Sequence, residues 1–222
     1  MGDSSEVLRS AIKDFRRSVE ITRDVRFQAN LRLNRRQQGS SYVVAMLSLY
    51  VIALSLIPNI IELKQYQNQI LLSCSIVLSV FVIFTSLLDG SQNFYHQGEL
   101  LHQCARRIAA IHYDLKNIDI DADLVAAWKE FEKLQGEYRK ALDECPINHD
   151  NMDYMKEMAH KPHLFKDNYP TWPVLRGPYG FYLRCCAKLS ELSWLFPHGA
   201  AFIFITLIVY SLVINGAPLK SH

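Results

Sequence analysis

Residues 42–88 read YVVAMLSLYVIALSLIPNII (42–61), ELKQYQNQ (62–69) and ILLSCSIVLSVFVIFTSLL (70–88), and they decide the fold. Neither apolar run contains an ionised residue. Each is long enough to cross a hydrocarbon core of ~30 Å at a rise of ~1.5 Å per residue. Leu, Ile, Val and Phe supply eleven of the twenty residues of the first run and thirteen of the nineteen of the second. At roughly −0.3 to −0.6 kcal/mol each, they favour insertion by about −3 to −8 kcal/mol per helix before the polar residues are counted. A connector of eight residues forces the two helices to run antiparallel. The expected fold is therefore all-α: a transmembrane hairpin with first crossing 42–61 and second crossing 70–88.

The rest of the chain differs sharply from this hairpin. Over 222 residues the net charge is only +2, so no global basic footprint points to nucleic acid, and direct nucleic-acid binding is not expected. The five cysteines are odd in number and lack Cys-x-x-Cys spacing, which fits reduced thiols. The first forty residues hold fourteen charges and no apolar core of a signal peptide, so the first crossing is expected to act as its own insertion signal.

Upstream, residues 5–36 read as one helix. Leu8, Ile12, Phe15 and Val19 form a stripe that wants a partner helix. After Asp24 the charges become one-sided, with Arg26, Arg32, Arg35 and Arg36 close to the membrane. Such a cluster holds its end in the cytoplasm, and the sharper reading makes the same four arginines a site for anionic lipid headgroups or a nucleotide. The connector carries only Glu62 and Lys64, whereas thirteen basic residues lie between 89 and 188. The N-terminus and region 89–190 are thus expected to be cytoplasmic, with the connector outside.

Inside the hairpin, Ser48 and Ser55 are seven residues apart, and Ser75, Ser79 and Ser86 recur at four and seven. Small hydroxyl residues on one face either let helices pack closely or line a watery path between several copies. Both readings stay open for these five serines, and the second requires a homo-oligomer. No Asp, Glu, Lys or Arg lies within the runs, which argues against a proton relay or voltage sensor.

Beyond the hairpin, residues 99–118 and 121–143 carry apolar residues every three to four positions and read as two amphipathic helices in the cytoplasm. Asp119, Asp121 and Asp123 suit the start of the second. The segment CPINHDNMDY (145–154) gathers Cys145, His149, Asp150 and Asp153. These spacings match no zinc or calcium pattern, and a cap-rich loop before a further helix accounts for them. No Ser-His-Asp elbow, phosphate-binding glycine loop or His-Glu-x-x-His is present, so neither a catalytic residue nor a cofactor or metal is expected.

RLNRRQQGSSYVVAMLSLYVIALSL (32–56), LLDGSQNFYHQGELLHQCA (87–105) and YRKALDECPINHDNMDY (138–154) together resemble the SLATT domain family. Asn148, His149 and Asp153 form the most family-like short element. The resemblance covers residues 1–158. It implies a two-helix membrane effector of bacterial anti-phage and nucleotide-signalling conflict systems, silent until an upstream partner is triggered. The implied operon partner is a nucleotide synthase, a nucleotide sensor or a reverse transcriptase. No catalytic residues come with the resemblance.

Residues 159–222 are expected to form a C-terminal extension. Its four prolines between 161 and 182 read as a loop, ordered by Tyr169, Trp172 and Tyr179. Phe181, Cys185, Leu189 and Leu192 then share a face opposite Arg184 and Lys188, and 195–214 reads as a third crossing that leaves the last residues outside, the alternative being a re-entrant or tightly packed helix. The expected function is a non-enzymatic, multi-pass effector of the bacterial inner membrane that permeabilises its host cell during infection. The competing expectation is an anchor or adaptor that localises a partner enzyme and opens no pore.

Overall fold

A helix continues where nothing along it forces a stop, and helix α1 (Gly2–Ile60) carries both the charged N-terminal stretch and the apolar run that starts at 42. In the computed structural model, which describes residues 2–60, 62–170 and 173–216, it is followed by α2 (Gln65–Gln92), α3 (Phe94–Lys116), α4 (Leu124–Asp143), α5 (Asn151–His160), α6 (Pro173–Leu192) and α7 (Phe196–Gly216). Single 3₁₀ turns cover Lys166–Asn168 and Ser193–Leu195. Three of these helices are long and apolar enough to span a membrane, and among the described residues there is no strand. The protein is an all-α membrane protein. Ile61, Trp172 and the C-terminal tail expected outside lie beyond the described residues.

Residues 1–34 and 95–190 make one compact unit. Its core is the stripe Leu8, Ile12 and Val19 of α1 packed on Ile108, Ile111 and Leu115 of α3 and on Phe131, Leu134 and Tyr138 of α4. Phe15 meets the rings of Phe131 and Tyr138 edge-on, at 5.6 and 5.3 Å between centroids. The Tyr138 hydroxyl donates to Thr22 Oγ1 (2.8 Å), so the buried tyrosine satisfies its polar end. Asp123 starts α4 by accepting the backbone N–H groups of Val125 and Ala126. A second cluster, built on Phe165, Met158, Leu164, Tyr169 and Leu183, seats α5 and α6.

Residues 35–94 and 191–222 make the other unit, from the second part of α1, α2 and α7. Leu47 and Leu54 of α1, Leu71 and Leu78 of α2, and Ile205 of α7 fill its centre. The seven-residue repeats on α1 and α2 keep one seam inward. Tyr50 and Thr206 share a hydrogen bond of 3.0 Å between α1 and α7. The end of this unit that includes residues 35–40 is polar and aromatic: Ser40 bonds to Asp89, Arg35 pairs with Glu191 at 3.4 Å, and the Arg36 guanidinium lies 4.2 Å over the Phe94 ring. Trp194 packs there beside His198, as tryptophan does at a membrane–water boundary.

Read from sequence alone, one helix ends at 36 and the first crossing starts at 42, whereas α1 runs unbroken through 37–41. Ser40, Ser41 and Gly39 of that stretch are engaged within the folded unit. The Ser41 hydroxyl donates to the Gln37 carbonyl (3.0 Å), and Gly39 gives Trp194 room, since a Cβ on it would lie 2.8 Å from Trp194 Cζ2. A rigid indole cannot retreat as a flexible chain end can. Gly39→Ala is accordingly expected to destabilise the second unit by about 1–3 kcal/mol, beyond the ~0.5–1 kcal/mol that alanine returns as a helix former. Gly136→Ala in α4, where nothing lies within 4 Å, has no such clash and is expected to stabilise. Melting of both variants in the same detergent checks this pair of opposite signs.

Two other boundaries move for local reasons. DGSQ after Leu88 continues α2 until Asn93, which ends it in the left-handed conformation (φ 47°). An asparagine tolerates that conformation without a glycine. Residues 173–182 are the start of α6 and not loop, because Pro173 occupies a first-turn position that needs no N–H donor.

Candidate functional site: a polar seam along the first helix

Buried charges are costly unless paired, so a line of them inside a bundle marks the place where the sequence departs from simple packing. Such a line runs along α1 in the first unit. Arg32 holds Asp153 of α5 in a two-pronged pair, Nε to Oδ1 at 2.8 Å and Nη2 to Oδ2 at 3.0 Å. About two turns earlier along α1, Asp24 accepts from Lys161 Nζ at 2.6 Å. Asp24 and Arg32 are eight residues apart (32 − 24), as are Asp153 and Lys161 (161 − 153). Equal spacing gives equal rise, about 12 Å, so α5 lies antiparallel on α1 with an ion pair at either end.

Asp153 is 1 % exposed, and its Oδ2 also accepts the backbone N–H of Asp150 at 3.0 Å. One carboxylate thus closes the start of α5 and ties it to α1, and the Asp150–Asp153 pair is a helix cap, as the sequence suggests. Asn148 Oδ1 accepts the His149 N–H at 2.9 Å, shaping the turn that leads in. Glu157, also buried, lies 3.3 Å from Lys161. Burial pushes the Asp24 carboxyl up, but hydrogen bonds from Arg23 and Lys161 outweigh it and hold it below 3.8. Burial pulls Lys161 down, and Asp24 and Glu157 more than reverse that, leaving it above 10.5.

Toward α3 the seam continues through Arg23, whose Nη1 lies 3.1 Å from His112 Nδ1, and Glu20, 3.7 Å from His112 Nε2. Asn30 binds Asn34 (2.9 Å) and approaches His102 (3.5 Å), with Gly98 of α3 pressed against both asparagines. Burial and then the Arg23 charge depress the His112 imidazole below 6.5.

Arg26 is the exception. It is 5 % exposed, forms no ion pair or hydrogen bond among the described residues, and leaves Nε and Nη1 buried without a partner. His149 beside it has a buried, unpartnered Nδ1. Burial depresses the His149 imidazole below 6.5 and the Arg26 charge lowers it further, against the opposing pull of Asp153 and Asp150. Cys104 is also within reach of this charge. Burial and the neighbouring Cys145 thiol push it up to about 12, so it is a buried thiol and not a nucleophile at neutral pH.

The structure therefore joins two groups of residues that the sequence suggested separately. Arg26 and Arg32 of the basic cluster face His149 and Asp153 of the family-like element. Arg26 is buried there and Arg32 half-buried. Arg35 and Arg36 belong to the other unit and sit against Glu191 and Phe94. Asp24, Lys161 and His112 escape sequence reading because their partners lie 137 and 89 residues away. The only local sign is that Asp24 is the last acid before a run of arginines.

The five serines of the second unit do not share one environment. Ser75 is buried, Ser48 and Ser79 are half-buried, and Ser55 and Ser86 are exposed. The hydroxyls of Ser48, Ser55, Ser75 and Ser79 donate to carbonyls three or four residues back on their own helices, at 2.7–2.9 Å. None of these four bonds crosses to a neighbouring helix.

Residues 8–214 match the family model described as SMODS and SLOG-associating 2TM effector domain family 5, a span that takes in α7. Comparison with curated proteins and with solved structures returns no match.

Proposed function

We propose that this chain, which belongs to SMODS and SLOG-associating 2TM effector domain family 5, is a non-enzymatic effector of the bacterial inner membrane that assembles with copies of itself and permeabilises that membrane when an upstream partner is triggered. The outcome for an infected cell is arrest or death before phage release. The partner class that fits the family description is a nucleotide-producing or nucleotide-sensing protein. The N-terminus and region 89–190 face the cytoplasm and the 62–69 connector faces outward, following the excess of basic residues on the first side.

The observation that carries this reading is the continuity of α1. The residues that hold α5, Arg32 and Asp24, and the apolar run from 42 to 60 are on one unbroken helix. Release of α5 from the seam therefore acts on a helix that is itself a membrane segment. The apolar windows of the three spans are only 11 %, 22 % and 11 % buried, so lipid or further copies of the chain must cover the rest. Ser55 and Ser86, exposed on single copies, are the hydroxyls available to a path between copies.

The test follows membrane potential and dye uptake in cells expressing the chain with its operon partner during infection. Loss of potential before lysis is expected, with Ser55→Leu and Ser86→Leu together abolishing it while cross-linked oligomers persist. Death with the potential intact would instead favour the anchor or adaptor reading.

A further inference from the structure

A cavity of about 700 Å³ opens in the first unit between the end of α5, the 3₁₀ turn Lys166–Asn168 and the first turns of α6. Its wall carries Lys166, Arg176, Arg184 and His163 and no carboxylate. The acid nearest in sequence, Asp167, is engaged by Arg17 at 3.1 Å. Arg176 Nε donates to the Pro170 carbonyl (3.3 Å), which anchors the side chain, and its two terminal nitrogens have no partner among the described residues. Lys166 and Arg184 likewise have no carboxylate partner among the described residues.

Three permanent cations gathered around one hollow repel each other unless an anion enters. Several other surface cations of this unit do find carboxylates: Arg9 with Asp121, Arg107 with Glu144, Lys133 with Glu130 and Glu137. The floor of the cleft is kept low by glycines three residues apart on α6. A Cβ on Gly180 would reach only ordinary contact, 3.6 Å from Tyr169 Oη, and one on Gly177 would meet nothing within 4 Å. Tyr169 is fixed by its bond to the Met158 carbonyl (2.8 Å), so the wall is formed in advance of any ligand. The volume lies in the range of small-molecule sites, and arginine forks match phosphate oxygens in geometry as well as charge.

We propose that this cleft binds a phosphate-bearing ligand of about nucleotide size through Lys166, Arg176 and Arg184. The site goes beyond the effector role and stands independently of it, because binding is read directly and not through membrane damage.

The experiment uses the full chain in phosphatidylcholine nanodiscs, titrated with ATP, a cyclic dinucleotide and inorganic phosphate by calorimetry. A second arm adds phosphatidylglycerol and follows modification of arginines by a dicarbonyl reagent. ATP or the cyclic dinucleotide should bind and protect Arg176 and Arg184. Affinity should fall about tenfold in Arg184→Ala, as for loss of one charge-assisted bond, and should weaken with salt. Gly177→Phe should fill the cleft and abolish binding with every cation retained and the melting temperature unchanged. Protection by phosphatidylglycerol alone, lost in Gly177→Phe, would assign the phosphate to a lipid headgroup. The proposal is overturned if neither source protects the two arginines, or if both variants bind like the parent. Pore formation could fail its own test with these results unaffected.

Discussion

Arg32→Ala is expected to destabilise the first unit by about 3 kcal/mol or more, several times the effect of an ordinary surface substitution. The reason is what the change leaves behind. Asp153 is 1 % exposed, and without the guanidinium its carboxylate keeps one backbone donor, the Asp150 N–H, in place of three. The converse variant, Asp153→Ala, leaves Arg32, whose side chain is 21 % exposed and can turn toward water. Its cost is expected to be smaller, about 1–2 kcal/mol, from the lost cap and the lost pair. The double variant should then be more stable than Arg32→Ala alone, because the stranded charge has gone. Hydrogen exchange of the α5 amides, together with denaturation of the full chain in detergent, measures all three. Equal losses in the two single variants would show that the buried carboxylate is not the seat of the energy.

This asymmetry explains why the membrane architecture could be read from the sequence while the seam could not. A membrane crossing is a property of one segment: twenty residues without a charge state their own environment, and α2 and α7 follow directly from such runs. The seam is a property of pairs. Arg32 and Asp153 are separated by 121 residues, and each alone looks like an ordinary surface charge. The basic cluster reads as a topology signal because proximity to the membrane is local information, whereas the partner that draws Arg32 inward is not. Two helix boundaries move for a related reason. Residues 37–41 fall between two helices when nothing is known of Trp194 beside Gly39, and Pro173 reads as loop when nothing shows that a helix starts there. In both cases a tertiary contact or a neighbouring element gives the residue its meaning.

Arg26→Met is expected to act in the opposite sense and raise stability by about 1–4 kcal/mol, the range seen when buried charges give way to apolar groups of similar volume. Methionine keeps the length of the side chain and fills the space without requiring donors. The gain should be accompanied by a change in pH dependence. His149 and His112 are both held below 6.5 in the folded state, so the stability associated with their neutral forms is complete above 6.5. It is lost as pH falls through their folded values, because the unfolded chain takes up the protons first. Removing Arg26 takes one depressing charge from His149 and leaves His112, which is governed by burial, Arg23 and Glu20, as it was. The variant should therefore lose less stability than the parent on acidification below pH 6.5, with the His149 resonance titrating higher and the His112 resonance unmoved. Melting below the parent at neutral pH would mean that Arg26 is compensated in the folded protein. A stabilised variant that no longer responds to its trigger would identify this unpaired guanidinium as a charge retained for switching at the expense of stability.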